Sequence, residues 1–581
     1  MIRKENIKLV DHETIIPLSR LSTEIFKTGQ WSPRKPLYRE KLSPCREACP
    51  VGNDIPGILS CVAKGDFDGA LALILHENPL PGICGRVCYH PCQVNCNRIQ
   101  FDKAVEIRSL ERFIADYGQA TPQVWTNQKG NQVKVAVIGS GPAGLSAAYF
   151  LALFGHKVAI FEARPEPGGV LRYGIPEYRL PREIVKREID RILGLGIDLV
   201  AGERVDTKKL TDIKRKYDYV FLGTGAWVPQ RIEASFEHRD TIIYGLDFLS
   251  HGDKTGMCEG KKNVVVVGGG DVAVDVARTA RRLCDPDAGI TMVAPEKEGE
   301  FPAIQEGLVE AEQEGIHMIG EYQPIEFIGK EHLKQIKFIK TKVEKDQATG
   351  RYRLSPVKGK DRFLDADLAI IAIGQIPDTS VFFESIVDKD SSRVFVDELG
   401  STPLFGFYAG GDVIRQRPAV AYAILSGKRA ALSIHLEVNG YEPNRVMTSL
   451  KLGKGPSLSI SAFVDNRGVD FGKVVGFSEL NTLPYRKVEQ HHGITLPPEA
   501  RKTNFREVNR GLEKDAAIDE AGRCFYCGTC IECDLCFLLC PDISIIKEGQ
   551  RLYSVNKDYC KGCSICAITC PRHVIEMEDG Q

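Results

Sequence analysis

The sequence lacks the features of a membrane-bound, secreted or nucleic-acid-binding protein. Its formal net charge is only −1, so it has no charge excess of the kind that attracts nucleic acid or a membrane surface. No apolar run approaches the roughly 20 residues of a membrane helix. The start, Met1 to Lys8, has no apolar segment typical of a signal peptide. These absences predict a cytoplasmic chain with no nucleic acid partner and no membrane span.

Cysteine is nearly missing from the middle of the chain. Only Cys258 and Cys284 lie between Cys96 and Cys524, although the sequence has 19 cysteines. Disulfide scaffolds are small, so a chain of 581 residues with cysteines at its two ends is not typical of one. The distribution predicts two metal-binding ends around a cysteine-poor middle. At about 150 residues per domain, the length predicts three or four units.

The middle opens with a dinucleotide-binding pattern. An apolar strand from Val135 to Ile138 runs into Gly139-Ser140-Gly141-Pro142-Ala143-Gly144, and the next apolar run ends at Glu162. The first glycine permits a tight turn, the second lets a pyrophosphate approach the backbone, and the third allows close helix packing. Glu162 can accept a hydrogen bond from a ribose hydroxyl.

A weaker copy of this pattern follows more than a hundred residues later. The strand from Asn263 to Val267 leads into Gly268-Gly269-Gly270-Asp271-Val272-Ala273 and then a helix, which predicts a second nucleotide site. Glu296 follows the next strand, where a carboxylate suits the ribose hydroxyl of NADH and an arginine suits the phosphate of NADPH. NADH is therefore favoured over NADPH, although Lys297 and an ordinary role as a solvated loop charge count against this interpretation.

Weaker signals fill the rest of the middle. Alternating residues in 332–343 and 351–357 predict a hairpin. Gly374 follows an apolar strand, and Gly410-Gly411-Asp412 stands between a strand and a helix, where it suits close contact with a polar cofactor chain. From 441 to 520 the periodicity fades, so this stretch is predicted to be a linker lying along other domains.

The amino-terminal cysteines form two groups. Cys45 and Cys49 come first, and Cys84, Cys88, Cys92 and Cys96 follow at intervals of four. Such spacing predicts thiols on one side of a helical turn, where thiolates could converge on a soft metal. Zinc is an alternative, but its usual pairs are C-x2-C units. Cys61 stands alone on an apolar helix and is predicted to be a core residue.

The last sixty residues carry the bacterial two-cluster ferredoxin pattern twice. In that pattern the fourth cysteine of each run binds the cluster of the other run. The predicted ligands are Cys530, Cys533, Cys536 and Cys570 for one [4Fe-4S] cluster, and Cys560, Cys563, Cys566 and Cys540 for the other. Cys524 and Cys527 continue the spacing and are either competing ligands or structural residues.

Taken together, these motifs resemble the small subunit of glutamate synthase and its relatives, which include the amino-terminal half of dihydropyrimidine dehydrogenase. The resemblance covers about residues 40 to 440, with a ferredoxin module after it. It rests on Cys49-Pro50, the run Cys84 to Cys96, both glycine patterns, Pro167 to Pro176, Gly223 to Ala226 and Ala409 to Val413.

The resemblance implies an α/β protein with two Rossmann-like dinucleotide-binding domains, the NAD domain inserted into the FAD domain. It also implies an N-terminal helical iron-sulfur domain and a C-terminal bacterial-ferredoxin-like α+β domain. The expected division is 1–128 for the helical iron-sulfur domain, 129–253 and 366–440 for the FAD domain, 254–365 for the NAD(P)H domain, 441–520 for the linker segment and 521–581 for the ferredoxin domain.

The same resemblance implies which residues hold the cofactors. It places FAD on Gly139, Gly141, Pro142, Ala143, Gly144, Glu162, Gly169, Leu171, Gly174, Thr224, Gly225, Gly411 and Asp412. It places the nicotinamide nucleotide on Gly268, Gly270, Asp271, Val272, Glu296 and Gly374. The family usually has two arginines where this chain has Pro295 and Glu296, which strengthens the prediction of NADH.

At the amino end, the resemblance implies one cluster on Cys49, Cys88, Cys92 and, as a further candidate, Glu111. A second cluster drawing on Cys45 and Cys96 stays open, because the dehydrogenase relative has two further cysteines before the position of Cys45 and this chain has none. One or two amino-terminal clusters are therefore expected, and Cys84 remains a candidate ligand.

The predicted function is an NADH-dependent oxidoreductase that passes electrons between NAD(H) and a ferredoxin or partner redox enzyme. A flavin exchanges hydride on one side and single electrons on the other, so it is expected between the nucleotide and the clusters. Within the family, a ferredoxin tail resembles electron-input subunits of dissimilatory sulfite reductase, 2-oxoacid or aromatic-CoA redox systems. A larger complex or a homodimer is expected, and the acceptor, the direction of flow and electron bifurcation stay open.

Four alternatives remain. The chain could be an NADPH-using glutamate-synthase-type small subunit, or a non-catalytic subunit that relays electrons and assembles a complex. A flavin disulfide reductase needs a redox cysteine pair beside the flavin, and the middle offers only Cys258 and Cys284, far apart in sequence. A nucleic-acid-binding module with structural zinc is the last alternative.

Overall fold

The computed structural model describes residues 27–122, 124–125, 130–232, 241–251, 255–345, 352–465, 470–549 and 551–579. The expected domain boundaries at 128/129 and 253/254 lie outside these residues. Within the described ranges, no helix has the length and apolar character needed to cross a membrane.

The amino-terminal region is built from short helices. Its elements are β1 (Arg34–Tyr38), β2 (Lys41–Leu42), α1 (Pro44–Ala48), α2 (Ile55–Ala63), α3 (Phe67–Leu75), α4 (Pro81–Val87), α5 (Pro91–Val94) and α6 (Ile107–Tyr117). Helices α2, α3 and α6 bury Ile58, Leu71 and Leu110 in a core that continues into the next unit. Each such side chain contributes roughly 1.5–3 kcal/mol by leaving water. The helical region is therefore fixed rigidly to the next unit of the chain.

The first Rossmann unit begins with a strand that turns into a fully buried helix. Its first elements are β3 (Lys134–Ile138), α7 (Pro142–Leu153), β4 (Lys157–Phe161), α8 (Val170–Tyr173), α9 (Arg182–Leu193), β5 (Asp198–Val200), α10 (Thr207–Lys216), β6 (Tyr219–Leu222) and β7 (Val228–Pro229). Strands β3 and β4 are nearly all apolar because helices cover both faces of a parallel sheet.

The second Rossmann unit follows as an insertion. It contains β8 (Ile242–Tyr244), α11 (Gly245–Ser250), α12 (Thr255–Cys258), β9 (Asn263–Val267), α13 (Asp271–Leu283), β10 (Gly289–Val293), α14 (Gln305–Gln313), β11 (His317–Ile319), β12 (Tyr322–Ile328), β13 (Gln335–Lys345), β14 (Tyr352–Asp365) and β15 (Leu368–Ile371). Its parallel sheet has the order β11-β10-β9-β15-β8. The predicted hairpin is confirmed, since β13 pairs antiparallel with β14.

The second sheet includes strands that lie outside the limits expected for this insertion. Strands β8 and β15 both pair within the second sheet, whereas the expected limits are 254 and 365. The physical reason is that β9 needs a parallel partner on each side, and β15 supplies the one opposite β10. Short strands such as β8 carry too few residues to show this partnership in their own pattern.

The chain then returns to complete the first sheet. The returning elements are β16 (Gln375–Ile376), β17 (Val387–Asp388), β18 (Arg393–Val394), β19 (Phe407–Ala409) and α15 (Val420–Val438). Strand β16 pairs with β7 where the chain crosses between the units, and β19 joins the parallel order β19-β6-β3-β4-β5. Helix α15 packs closely on α7, because a side chain at Gly427 would collide with the carbonyl of Ala143. The expected insertion of one Rossmann domain into the other is confirmed.

The segment predicted to be a linker is ordered and lies along the amino-terminal helices. It contains α16 (Pro443–Leu450), α17 (Ile460–Asp465), β20 (Asp470–Val474), β21 (Ile494–Thr495), α18 (Pro498–Arg501), β22 (Asn509–Gly511) and α19 (Lys514–Gly522). Strand β20 pairs with β2, and α19 packs against α2. The segment therefore packs on the other units, as its fading periodicity indicated.

The carboxyl-terminal unit has two similar halves. Its elements are α20 (Leu535–Leu538), β23 (Ile545–Gly549), β24 (Leu552–Val555), α21 (Ile565–Thr569) and β25 (Ile575–Asp579). Strand β23 pairs with β24, whereas β25 pairs antiparallel with β1 from the other end of the chain. The amino-terminal strand thus covers an edge that the second half would otherwise expose.

Candidate functional site

The first glycine turn has the geometry of a phosphate-binding site. Gly139 has φ +100°, and a Cβ there would lie 2.5 Å from the carbonyl oxygen of Gly223. A Cβ at Gly144 would collide with the carbonyl of Gly139, whereas one at Gly141 would meet nothing within 4 Å. Helix α7 begins at Pro142 with no side-chain cap. The open space at Gly141 therefore exposes a helix N-terminus with unpaired N–H groups, which suits a pyrophosphate.

Both parts of the first unit converge on this helix end. A Cβ at Gly169 would lie 3.0 Å from the Cα of Gly141, and one at Gly411 would lie 3.0 Å from the Cβ of Ala143. Asp412 follows Gly411, and burial raises the pKa of its carboxyl above the ordinary value. Residues far apart in sequence thus surround one space above α7, as the resemblance implied.

Thr224 gives an independent sign that this space fits a polar group. Its hydroxyl oxygen is buried and has no hydrogen-bond partner in the described structure. A buried polar group without a partner costs about 1–3 kcal/mol, so a ligand that completes the bond is expected. Gly225, the next residue, has φ +73°. Among the other residues predicted to hold the cofactor, Leu171 is fully buried in the core. A Cβ at Gly174 would lie 2.5 Å from the side chain of Val170.

Glu162 has a role in the protein that the sequence pattern does not show. Its carboxylate accepts the backbone N–H of Ser140 at 2.9 Å and the N–H of Arg164 at 2.8 Å, and it also accepts the Ser140 hydroxyl. The carboxylate is buried at the end of β4, directly beside the glycine turn. It therefore holds the glycine turn in place.

The second glycine turn repeats the first. Gly268 has φ +141°, and a side chain there would collide with the carbonyl of Ala372. Gly270 faces open space, and α13 starts after it with no side-chain cap. Asp271 accepts the N–H of Ile304 at 3.0 Å, and Val272 packs against the core of the second unit. This turn also leaves room for a phosphate over a helix N-terminus.

The loop after β10 is acidic. It carries Glu296, Glu298 and Glu300, and its single cation, Lys297, lies 3.7 Å from Glu300. The arginines of α13 point elsewhere: Arg281 donates to the carbonyl of Ala288 at 2.6 Å, and Arg282 pairs with Glu314 at 2.6 Å. The predicted position for reading the 2′ group therefore offers carboxylates rather than a guanidinium.

Gly374 lies where the two units cross. It has φ +120° after β15, and its carbonyl accepts the N–H of Gln230 at 3.0 Å. Elsewhere between the two units, Arg179 of the first unit donates to both carboxylate oxygens of Asp275 on α13, each at 2.7 Å. The Tyr178 hydroxyl donates to the Asp275 carbonyl at 3.2 Å. These contacts fix the second unit against the first, and no local sequence signal pointed to them.

Four of the amino-terminal cysteines line one cavity. Its lining includes Cys49, Cys84, Cys88, Cys92 and Glu111. The expectation that Cys84 to Cys96 follow one helical turn is wrong, because α4 ends at Val87 and His90 has φ +45° before α5 begins. The thiols converge through this break in the helix and not through helical spacing.

Glu111 faces these thiols on α6. Asn78 and Asn53 donate to one carboxylate oxygen at 2.8 and 3.0 Å, and burial raises the pKa of Glu111 to about 7. Burial also raises the pKa of Cys84 and Cys92 well above the thiol value. Soft sulfur donors gathered in a buried cavity fit an iron-sulfur cluster, whose positive iron would hold them as thiolates. The two asparagines were not foreseen from the sequence.

The carboxyl-terminal cysteines are brought together in the two crossed sets that the spacing predicted. One cavity is lined by Cys530, Cys533, Cys536 and Cys570. Another is lined by Cys540, Cys560, Cys563 and Cys566. Cys45 and Cys96 line neither these cavities nor the amino-terminal one. The described residues contain no group of three or more His, Cys, Asp or Glu arranged for a single metal ion.

Cys258 and Cys284 are close in space although they are far apart in sequence. Both are buried at the end of α13, within side-chain hydrogen-bonding reach of one another. The nucleotide end of α13 lies at Gly270, and 13 residues of helix span about 20 Å. This pair therefore lies at the opposite end of α13 from the second glycine turn.

Two nested Rossmann units beside cysteine-lined cavities define a nucleotide-dependent oxidoreductase with iron-sulfur domains. Comparison with known proteins agrees. A family model described as pyridine nucleotide-disulphide oxidoreductase matches residues 133–427, and one described as dihydropyrimidine dehydrogenase domain II, 4Fe-4S cluster, matches residues 39–123. The chain belongs to this family of iron-sulfur flavoprotein oxidoreductases that use pyridine nucleotides.

Its relatives are named as subunits of oxidoreductases. The chain is 34% identical to NADP(+)-dependent formate dehydrogenase subunit beta of Moorella thermoacetica, over 84% of this chain and 70% of that protein. It is 32% identical to NADPH-Fe(3+) oxidoreductase subunit beta of Geobacter sulfurreducens, over 84% and 75%. It is 31% identical to NAD-dependent dihydropyrimidine dehydrogenase subunit PreT of Salmonella typhimurium, over 68% and 90%.

Proposed function

We propose that this protein passes electrons between NAD(H) and a ferredoxin or partner redox subunit, through FAD and [4Fe-4S] clusters. The observation that carries this proposal is the pair of open, uncapped helix N-termini at Gly141 and Gly270, in a chain that also gathers cysteines around cavities. FAD supplies the exchange between hydride and single electrons. The flow is proposed to be reversible, with the direction set by the partner.

The chain's own residues position the reactants. The turn at Gly139 to Gly144 and the hydroxyl of Thr224 would hold FAD, while the turn at Gly268 to Gly270 would hold the nicotinamide nucleotide. The ion pair between Arg179 and Asp275 joins the two units. No protein acid or base is required for hydride transfer, so positioning and water exclusion are the contributions of the protein.

The test of this function is an anaerobic titration. We expect the purified protein to contain flavin, iron and sulfide, and its flavin absorbance to bleach rapidly when a reduced nicotinamide nucleotide is added. A protein with flavin and iron that no nucleotide bleaches would instead be a relay and assembly subunit. A colourless protein without inorganic sulfide would disprove the proposal.

We propose NADH as the preferred nucleotide. The acidic loop with Glu296, Glu298 and Glu300 supports this preference, since a 2′-phosphate there would meet like charge. The names of the relatives are divided, with the Moorella and Geobacter proteins named for NADP(H) and the Salmonella protein for NAD. The charge of the loop is thus the observation on which the proposal depends.

Exchanging the loop charge tests this preference. We expect kcat/KM for NADH to exceed that for NADPH by at least about tenfold, and Pro295→Arg with Glu296→Arg to reverse the order, because each good charge pair changes binding by about 1.5–3 kcal/mol. Glu312→Arg, an exposed charge exchange on α14 outside this loop, serves as the matched control and should leave the preference for NADH in place. A wild-type protein that uses NADPH better would disprove the preference.

The relatives also support work within a complex. Each of the three relatives described above is named as a subunit. We therefore propose that the electron acceptor or donor is a partner subunit or a ferredoxin that docks near the carboxyl-terminal unit. Identification of a subunit that copurifies under anaerobic conditions would name it.

A further inference from the structure

We propose that Cys45, Cys96, Cys524 and Cys527 bind an additional [4Fe-4S] cluster between the amino-terminal cavity and the ferredoxin unit. These four cysteines lie outside the three cavities described above. The proposal extends the electron path of the proposed function, but its test does not depend on nucleotide oxidation.

One side of this site is built by the residues around Cys96. The Asn97 side chain donates to the sulfur of Cys527 at 3.4 Å and to the carbonyl of Val475 at 2.9 Å. Arg98 donates to the carbonyl of Arg523 at 2.8 Å, and its guanidinium lies 4.7 Å from the ring centre of Phe525. These contacts hold the segment 96–98 against the segment 523–527.

The other side is built by the residues before Cys45. The N–H of Lys41 donates to the carbonyl of Gly528 at 2.9 Å, and a Cβ at Gly528 would lie 2.5 Å from the carbonyl oxygen of Lys41. Cys45 then stands at the start of α1 and is 8% exposed, while Cys524 and Cys527 are 8% and 7% exposed. Two segments from the amino end and one from the carboxyl end therefore bring four thiols into one buried region.

The backbone around Cys524 and Cys527 has the conformation found at the ferredoxin cysteines. Tyr526 and Gly528 have φ +52° and +72°, two residues after the first cysteine and one after the second. The same two places have φ +59° and +57° in the run Cys530-x2-Cys533, and +69° and +67° in the run Cys560-x2-Cys563. Tyr526 is not glycine, so its left-handed conformation costs free energy. Because the same unfavourable turn occurs in all three Cys-x2-Cys runs, it indicates that the run Cys524-x2-Cys527 binds the same kind of group as the other two, an iron-sulfur cluster.

Backbone hydrogen bonds to sulfur support the same conclusion. The N–H of Tyr526 donates to the sulfur of Cys524 at 3.3 Å. The N–H of His90 donates to Cys88 at 3.4 Å, and that of Ser544 donates to Cys540 at 3.3 Å, in the cavities predicted to hold clusters. Such bonds to thiolate sulfur are one of the means by which proteins tune a cluster.

A cluster fits these thiols better than zinc. No described group of side chains is arranged for a single metal ion, and a four-iron cube holds its cysteines further apart than one ion does. Two residues also separate Cys527 from Cys530, so their Cα atoms lie within about 11 Å of each other. Cys45 and Cys49 stand at the two ends of α1. The proposed cluster therefore bridges the amino-terminal cavity and the ferredoxin unit.

Removing the carboxyl-terminal pair tests the proposal on the anaerobically purified full chain. We expect Cys524→Ala with Cys527→Ala to lose about four iron and about four sulfide atoms per chain and one set of signals in the EPR spectrum of the reduced protein. Cys45→Ala and Cys96→Ala should each remove the same signals. Flavin content should stay at the wild-type value, which shows that the Rossmann units are folded.

Two control variants sharpen the result. Cys61→Ala, a half-buried cysteine on α2, should keep all the iron, and Cys533→Ala should remove a different set of signals. Unchanged iron in the double variant, or zinc in its place in the wild type, would overturn the proposal. If the double variant does not fold, the iron content of the wild type tests the proposal instead. About sixteen iron atoms per chain would support four clusters, and about twelve would overturn the fourth. A wild type that no nucleotide bleaches would disprove the proposed function and leave these counts valid.

Discussion

At the scale of single residues, some buried polar groups lack a hydrogen-bond partner and others have one. The hydroxyl of Thr224, which has no hydrogen-bond partner, and the open space at Gly141 both lie where a ligand would complete the structure.

His156 and His435 show the opposite case, because they form a buried polar pair whose hydrogen bonds are already made within the protein. The N–H of Val133 donates to Nδ1 of His156 at 3.5 Å, so Nε2 of His156 carries a proton and donates to Nδ1 of His435 at 3.2 Å.

This histidine pair should make the protein sensitive to acid. Burial lowers the pKa of both rings to about 4. The unfolded chain then binds more protons between about pH 4 and 6.5, so the free energy of unfolding falls as the pH drops through that window. Between about pH 7.5 and 5.5 we expect a loss of about 1 kcal/mol per ring. His156→Gln with His435→Gln should flatten the dependence of the thermal midpoint on pH.

The exposed His251 provides the control for this experiment. His251→Gln should keep the wild-type dependence on pH. If the double variant lost stability between the two pH values as steeply as the wild type does, the buried pair would not be the cause.

At the scale of elements, β1 has a role that the sequence did not predict. It pairs with β25 over five residues, from Arg34 with Asp579 to Tyr38 with Ile575. Tyr38 also stacks on Tyr553 with ring centres 5.7 Å apart, and it lines the cavity of Cys530. An amino-terminal strand thus completes the ferredoxin unit and shields one of its candidate cluster sites.

Removing β1 should therefore destabilise the other end of the chain. A chain that begins at Arg39 is expected to lose iron faster in air and to be cut earlier by protease near β25, because the edge of β25 becomes unpaired. A chain that begins at Lys27 keeps all the described residues and serves as the reference. Equal iron retention and equal protease resistance in the two chains would show that β1 is dispensable.

Local patterns predicted local structure well. The turn from β3 into α7, the second turn at Gly268 and the hairpin of β13 with β14 each depend on neighbouring residues, and all are present. The crossed cysteine sets of the ferredoxin unit follow from a spacing rule of the same kind.

Contacts between distant segments could not be predicted from local sequence patterns. The pairing of β1 with β25, the contact of Cys258 with Cys284 and the bond of Arg179 to Asp275 each join residues whose own neighbourhoods look ordinary. The spacing of Cys84 to Cys96 suggested a helix, but a proline at the start of α5 and the left-handed His90 interrupt it. Sequence patterns therefore predicted the units and their glycine turns, but not how the units are joined.

At the scale of the whole molecule, buried charges join the units. Lys428 on α15 is fully buried and pairs with Glu77, which also accepts hydrogen bonds from Ser459 and Ser461. This network joins the amino-terminal helices, the first Rossmann unit and the segment after it. Breaking a buried pair by removing one partner costs about 3–5 kcal/mol, so the arrangement of the units is strongly fixed.

The link between Arg179 and Asp275 should control how the nucleotide meets the flavin. We expect Arg179→Ala to lower kcat with NADH by about tenfold to a hundredfold, since small misplacements of reactants have costs of this size. Flavin and iron contents should not change. Arg215→Ala, which breaks an exposed contact on α10, is the matched control. A kcat within about twofold of wild type in Arg179→Ala would show that the link is not needed for positioning.

The meeting of the two chain ends has a consequence for biosynthesis. Residues 34 to 45 emerge from the ribosome long before their partners near 524 to 528 and 575 to 579 exist. The first strand must therefore wait, unpaired, until residues 575 to 579 have been synthesised. The carboxyl-terminal unit can be completed only when both of these segments are present.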